Sequence, residues 1–272
     1  MKITSDNSKT FLISALATYG VGWTIIESIS FFLSSAEVSG ASRYLLLVGL
    51  SICVGLWRAW PLGKVEIPIA NSDTTVVISF GSLFATETHI AVPVNEYFDS
   101  LLGDHVARTS VHGQFIQNTL GGQSTSFDQL VQDDLSGVAC EDVARTTGNC
   151  RAYKIGTTAV ANISDRKYFL VAFAKTDIQT LKASASVHEL WDALAGLWDR
   201  VRISSNGEAV AIPLIGGGLS GIGLPPAHLL NLILESILVA TKKQKITGTI
   251  HIVLPENLKQ DIDLKRIKQM WR

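Results

Sequence analysis

The chain has 272 residues, 23 Lys and Arg against 24 Asp and Glu, and a formal net charge of -1. Without a basic cluster, that balance excludes a mainly nucleic-acid-binding role. Hydrophobic residues make up 47%, charged ones 17%, and the mean hydropathy is +0.27; this is too apolar for an ordinary soluble domain, so membrane segments are sought first.

The excess lies at the N-terminus. Residues 11–33, FLISALATYGVGWTIIESISFFL, carry Glu27 as their only charge, and as a helix they span the hydrocarbon core of a bilayer. Residues 44–60, YLLLVGLSICVGLWRAW, form a shorter run in which Arg58 can snorkel and Trp57 and Trp60 suit the interface. The first run is too long for a signal-peptide apolar region and a second follows it. The spacing therefore predicts a two-helix transmembrane hairpin over residues 1–60, joined by a loop at 34–43, and a second domain over 61–272. Lys2, Lys9, Arg58 and Lys64 flank the spans, against Arg43 alone in the loop. This bias places both termini in the cytoplasm. Ser14, Thr18 and Gly22, and Ser51 with Gly55, recur every four residues, a spacing that lets helices approach closely. Glu27 lies within the first span, where a carboxylate is costly unless it faces protein, water or the interface.

Beyond Pro61 strands alternate with helices. Residues 64–70, 74–80 and 89–94 read as strands, the first two around the turn Asn71-Ser72-Asp73. Ser126 and Gln129 form a capping-box pattern opening a helix to about Leu135, and 136–151 reads as loop. Strands at 157–163 and 168–174 flank the turn 164–167. A second capping box, Ser186 and Glu189, opens the clearest helix, with Val187, Leu190, Trp191, Leu194, Leu197, Trp198 and Val201 on one face and Ser205-Asn206-Gly207 as its stop. A strand at 209–215, a helix at 225–241, a strand at 247–254 and a helix at 261–271 follow. Such alternation implies an α/β sheet covered on both faces. Cys53, Cys140 and Cys150, an odd number without a C-x-x-C pair, support neither a disulfide framework nor a metal site; unpaired thiols are expected.

Two stretches carry candidate chemistry. IPLIGGGLSGIG follows a strand and precedes a helix, and Gly216, Gly218 and Gly221 satisfy G-x-G-x-x-G. The dinucleotide fingerprint nevertheless needs an acidic residue after a further strand about 20 residues on, and here that region lies inside the helix. No lysine follows the glycines, so it is not a P-loop. A flexible run of backbone N–H groups before a helix remains an anion cradle; a tightly packed turn is the other reading. The second stretch, HIAVPVNEYFDSLLGDHVARTSVHGQFI, sets Asn95 directly after a strand, followed by Asp99, Gly103, Ser110 and His112.

This strand-Asn, loop-Gly, helix order, with the late IPLIGGGLSGIG strand and loop, resembles the macro domain family over roughly residues 75–254. The resemblance implies a three-layer α/β/α domain with a mixed sheet that binds an ADP-ribose-type nucleotide and needs no other cofactor. It implies Asn95 as the distal ribose contact and Gly216, Gly217, Gly218, Ser220 and Gly221 as the diphosphate loop; Asp99, Gly103, Ser110 and His112 complete the candidate ligand set. The family's Gly-Asp that reads adenine appears here as Gly81-Ser82, its glycine run after the asparagine is replaced by FDSLLGDHVARTSVHG, and Asp99 is the substitute carboxylate on offer. With its two spans the chain is similar to the membrane-anchored macro-domain effectors of the Thoeris antiphage system. That similarity implies a sensor of a nucleotide second messenger made by a TIR-domain protein, multi-pass in the bacterial inner membrane with its C-terminal domain in the cytoplasm. Such a sensor responds by homo-oligomerising and disrupting the membrane. The alternatives are a tethered ADP-ribosyl hydrolase, with Asn95 orienting the ribose and Asp99 or His112 activating water, and a scaffold with a vestigial pocket.

Overall fold

The structure is a computed structural model that describes residues 5–32, 40–70, 72–218 and 221–271. Its contacts divide the chain into two units, Met1–Leu62 and Gly63–Arg272.

The first unit consists of helices α1 (Ser5–Phe32) and α2 (Gly40–Ala59) packed on each other. The small residues make the seam. Ser14, Leu47 and Ser51 are buried, a Cβ on Gly22 would meet Leu47, and one on Gly55 would meet Phe11 and Ala15. Thr18 and Ser51 satisfy their hydroxyls on the carbonyls of Ser14 and Leu47, both at 2.8 Å. Outside the seam Leu12, Ile13, Leu16, Leu45, Leu46 and Trp57 are exposed. Exposed apolar surface on this scale marks an interaction face, for protein or for a bilayer. The stretch Ser8–Ile29 is long and apolar enough to cross a bilayer, while the apolar part of α2, Tyr44–Ala59, is shorter. Glu27 is exposed on α1. Most of the connecting loop expected at 34–43 lies outside the described residues.

The second unit is built on a mixed sheet in the order β1-β2-β10-β9-β3-β7-β6. Its strands are β1 (Lys64–Pro68), β2 (Thr75–Phe80), β3 (His89–Asn95), β6 (Thr158–Ile163), β7 (Arg166–Thr176), β9 (Val210–Pro213) and β10 (Thr249–Leu254). The five central strands from β2 to β7 run parallel, and β1 and β6 close the edges antiparallel. Alternation splits each strand between two cores. Phe169, Val171 and Phe173 of β7 join helices α5 (Val187–Ser204), α6 (Pro226–Lys243) and α7 (Leu264–Met270) on one face. Tyr168, Leu170 and Ala172 meet α3 (Val111–Thr119) and α4 (Ser124–Asp134) on the other. This is the three-layer α/β/α arrangement.

Local signals set most boundaries. Ser186 and Glu189 form both bonds of a capping box at the start of α5, and Asn206 and Gly207, both at positive φ, end it. Three expectations need correction. Ser126 does not cap α4; the helix begins at Ser124, after Gly121 and Gly122 turn the chain at positive φ, and Ser126 bonds the Gln123 side chain. Val187 and Trp191 are exposed on α5, whose buried face runs instead through Leu190, Ala193, Leu194, Leu197, Trp198 and Val201. The stretch expected as loop at 136–151 contributes a small hairpin, β4 (Cys140–Asp142) against β5 (Arg151–Tyr153). A short strand β8 (Ala183–Ser184) pairs with β7.

Candidate functional site

Strands β3 and β9 are parallel neighbours but pair only at their starts, His89 with Val210 and Ile90 with Ala211. Beyond that point β3 stays with β7 and β9 with β10, so the sheet divides toward its carboxyl end. Pro93 and Pro213 sit beside the division, and a proline inside a strand needs a side free of ladder bonds. The chain leaves β3 toward α3 and α4 on one face and leaves β9 toward α6 on the other. Adjacent parallel strands whose connections depart to opposite faces make a topological switch point, where α/β sheets hold ligands.

One wall is the loop after β9. Leu214 and Ile215 are buried, and the chain then turns at Gly216 with φ 88°. The positive φ requires glycine, and a Cβ there would lie 2.7 Å from the tip of Ile222, which would have to move aside. Ile222 N–H closes the loop on the Gly216 carbonyl at 3.3 Å. Gly217, Gly218 and Gly221 are exposed at its apex, and space around Gly218 is open. Ser220 lies outside the described residues. The N-terminus of α6 follows with Pro225 as its cap and no side-chain cap bond. No Lys or Arg stands between Arg202 and Lys242, so an anion on this wall would be held by backbone N–H groups and the helix terminus.

The other wall is the loop after β3, and it is tied down throughout. Asn95 Nδ2 donates to Asp99 Oδ2 at 2.8 Å and to Thr176 Oγ1 at 3.0 Å, and its Oδ1 accepts from Asp99 N at 3.0 Å. Arg145 donates to both oxygens of Asp99 at 3.0 Å, and Asn149 N donates to Oδ1 at 2.8 Å. Asp99 is 0% exposed, and these bonds fill its acceptor positions. Asn95 keeps one free lone pair on Oδ1. Burial pushes the carboxyl of neighbouring Glu96 above the usual carboxylate range, against the lowering effect of the Thr176 N–H donated to it.

The structure brings Asn95, Asp99 and Gly103 onto this loop and uses Ser110 and His112 differently. Ser110 caps α3, accepting from Gly113 N at 3.0 Å and donating to the Ala107 carbonyl. His112 sits in the core against Phe127, ring centroids 5.0 Å apart, and its Nε2 has no partner among the described residues. Burial drives its pKa down to about 3, against a weaker upward pull from Asp99.

Sequence reasoning missed Arg145, Asn149, His105 and Thr176. Arg145 and Asn149 lie in a stretch without periodicity, and only a Gly-Asn turn signal marked it. Thr147, His105 and Asp99 stand in the order nucleophile, base, acid, with His105 Nε2 3.0 Å from the Thr147 hydroxyl. Arg145, always a donor, points Nη2 at His105 Nδ1 at 3.3 Å. In the tautomer in which Nδ1 accepts from Arg145, Nε2 carries the hydrogen and the ring cannot take a proton from Thr147. The thiols of Cys53, Cys140 and Cys150 are free, and no metal-binding group occurs among the described residues.

Among solved structures, the chain is similar to the Oceanobacillus iheyensis macrodomain with ADP, at 13% identity and a TM-score of 0.52, covering 76% of this chain and 96% of that one. The same macrodomain with MES bound gives 14% identity and a TM-score of 0.53 over 76% of this chain and 96% of that chain. These similarities concern the fold. No curated protein matches significantly. The family described as Thoeris protein ThsA, Macro domain matches residues 76–255, from β2 to the end of β10. With the switch-point crevice and its two loops inside the matched span, the chain belongs to the Thoeris ThsA macro-domain family.

Proposed function

We propose that the second unit binds an ADP-ribose-type nucleotide in the crevice between the ends of β3 and β9. The observation that carries this reading is the division of the sheet at a switch point flanked by the Gly216–Gly218 wall and the Asn95 loop. The diphosphate lies against the backbone of Gly216, Gly217, Gly218 and Gly221. Asn95 offers its remaining Oδ1 lone pair to a ribose hydroxyl, and the Gly103 turn shapes the opposite rim. Asp99 serves by holding Asn95. A macrodomain of the same fold holds ADP, which supports a nucleotide diphosphate as ligand.

The chain is further proposed to be a membrane-anchored sensor and effector of antiphage defence. Family membership supports this reading, as does the exposed apolar surface of α1 and α2. Its signal is then a nucleotide made by a TIR-domain protein, its seat the inner membrane with the second unit in the cytoplasm, and its response self-assembly that disrupts the bilayer. A ligand drives such a change only through different affinities for the two states. Binding is favoured over hydrolysis because Asp99 is fully engaged and His112 is buried in the core against Phe127, so neither is placed to activate water.

The test is titration calorimetry of the full chain in nanodiscs with ADP-ribose. Wild type is expected to bind. Gly218→Glu, which has room for its side chain but sets a carboxylate against the diphosphate, is expected to weaken binding at least tenfold with an unchanged melting temperature. Equal affinity in the variant would remove the glycine loop from the site.

A further inference from the structure

The loop after β3 is anchored mainly from a distant part of the chain. The strap from Cys140 to Tyr153 crosses it and inserts Arg145, whose side chain is 1% exposed. Besides its two bonds to Asp99, Arg145 donates to the Asn149 carbonyl at 2.6 Å and lies 3.9 Å above the Tyr97 ring. Asn149 Nδ2 reaches the Phe98 carbonyl at 2.7 Å and Asp128 at 3.2 Å. Asp128 in turn accepts from Ser100 at 3.0 Å. Tyr153 N donates to the Glu96 carbonyl at 2.9 Å, and its ring meets Phe98 edge-on. The strap passes so close that a Cβ on Gly148 would strike Asp99 and His105.

What this anchoring enforces is an unfavourable backbone. Phe98 has φ 51°, a region that bulky residues rarely adopt and that persists only when the surroundings over-determine it. Strap bonds reach Glu96, Phe98 and Asp99, and the Arg145 guanidinium covers Tyr97. A buried ion pair adds little net stability over an apolar replacement, but its planar fork selects one geometry. The pair is therefore suited to specifying a conformation.

We infer that Arg145 is a positioning residue for ligand binding: through Asp99 and Tyr97 it holds the Asn95–Gly103 loop in the shape that forms one wall of the crevice. This rests on the ADP-ribose reading above, and the experiment separates the two. Full-length wild type, Arg145→Lys and the double variant Asp99→Asn/Arg145→Gln are compared in nanodiscs by calorimetry with ADP-ribose, by thermal melting and by amide hydrogen exchange. Lysine keeps the charge without the fork, and the double variant removes both charges and leaves no unpaired ion.

Both variants are expected to melt within a few degrees of wild type. They should bind ADP-ribose at least tenfold more weakly and exchange amides 96–103 at least tenfold faster, with β3, β7 and β9 unchanged. Wild-type affinity in Arg145→Lys, or exchange that is unaltered or raised uniformly across the sheet, would overturn the inference. If the double variant does not fold, Arg145→Lys alone decides. If wild type takes up no ADP-ribose, the ligand reading falls, and the selective exchange of 96–103 still decides the positioning role.

Discussion

Replacing His112 with leucine should flatten the acid side of the stability profile. In the folded chain the imidazole is buried against Phe127 with a pKa of about 3, far below its ordinary 6.5, because burial disfavours the cation. The unfolded chain takes up this proton near pH 6.5 and the folded one only near pH 3. Stability from the neutral ring is therefore complete above pH 6.5 and is lost as pH falls through that window. Below pH 6 the slope approaches about 1.4 kcal/mol per pH unit, so lowering the pH from 6.5 to 4.5 costs roughly 2.3 kcal/mol through this one residue. For a domain of this size that corresponds to roughly 5–10 °C in melting temperature. His89 and His251, also lowered by burial, remain in both proteins, so the difference between profiles isolates His112. Because Nε2 has no partner among the described residues, leucine strands no hydrogen-bonding group at neutral pH. The assay is tryptophan-monitored melting of both full chains in nanodiscs at pH 7.0, 6.5, 5.5 and 4.5. Parallel profiles would refute the assignment of a buried neutral ring.

Two further perturbations test the packing and the caps. Gly196→Ala places a Cβ against the Gly156 carbonyl, backbone that cannot step aside; it should destabilise the second unit by about 1–3 kcal/mol, read as a lowered urea midpoint. Ser186→Ala removes the α5 capping box and should cost about 1 kcal/mol, seen in the same measurement and as faster hydrogen exchange in the first turn of the helix.

Much of the architecture was legible because its signals are local. The β-rich runs at 64–70, 74–80 and 89–94 became β1, β2 and β3, the Ser186–Glu189 box opened α5, and Gly216 stood where a turn required a positive φ. The small-residue spacing of Ser14, Ser51, Gly22 and Gly55 likewise became the seam between α1 and α2. Each of these signals acts over a few residues, within reach of a periodicity or a cap.

The interior of the candidate site was not legible in this way. Asp99 reads from sequence as a free carboxylate near the ligand, and Ser110 and His112 as ligand contacts. The fold encloses Asp99 with Arg145, 46 residues away, spends Ser110 on a helix cap and buries His112 in the core. Nothing within a few residues of Asp99 announces its partner. That pairing exists only because the sheet carries the end of β3 beneath a strap from the far side of α4. The switch point is equally a tertiary fact, since it depends on which face each connection takes. Sequence alone located most of the strands and helices and the glycine turn, because dihedral preference and side-chain period are local properties. The tertiary structure decided which polar groups meet, because burying an ion pair or a neutral imidazole requires neighbours that only the assembled layers supply.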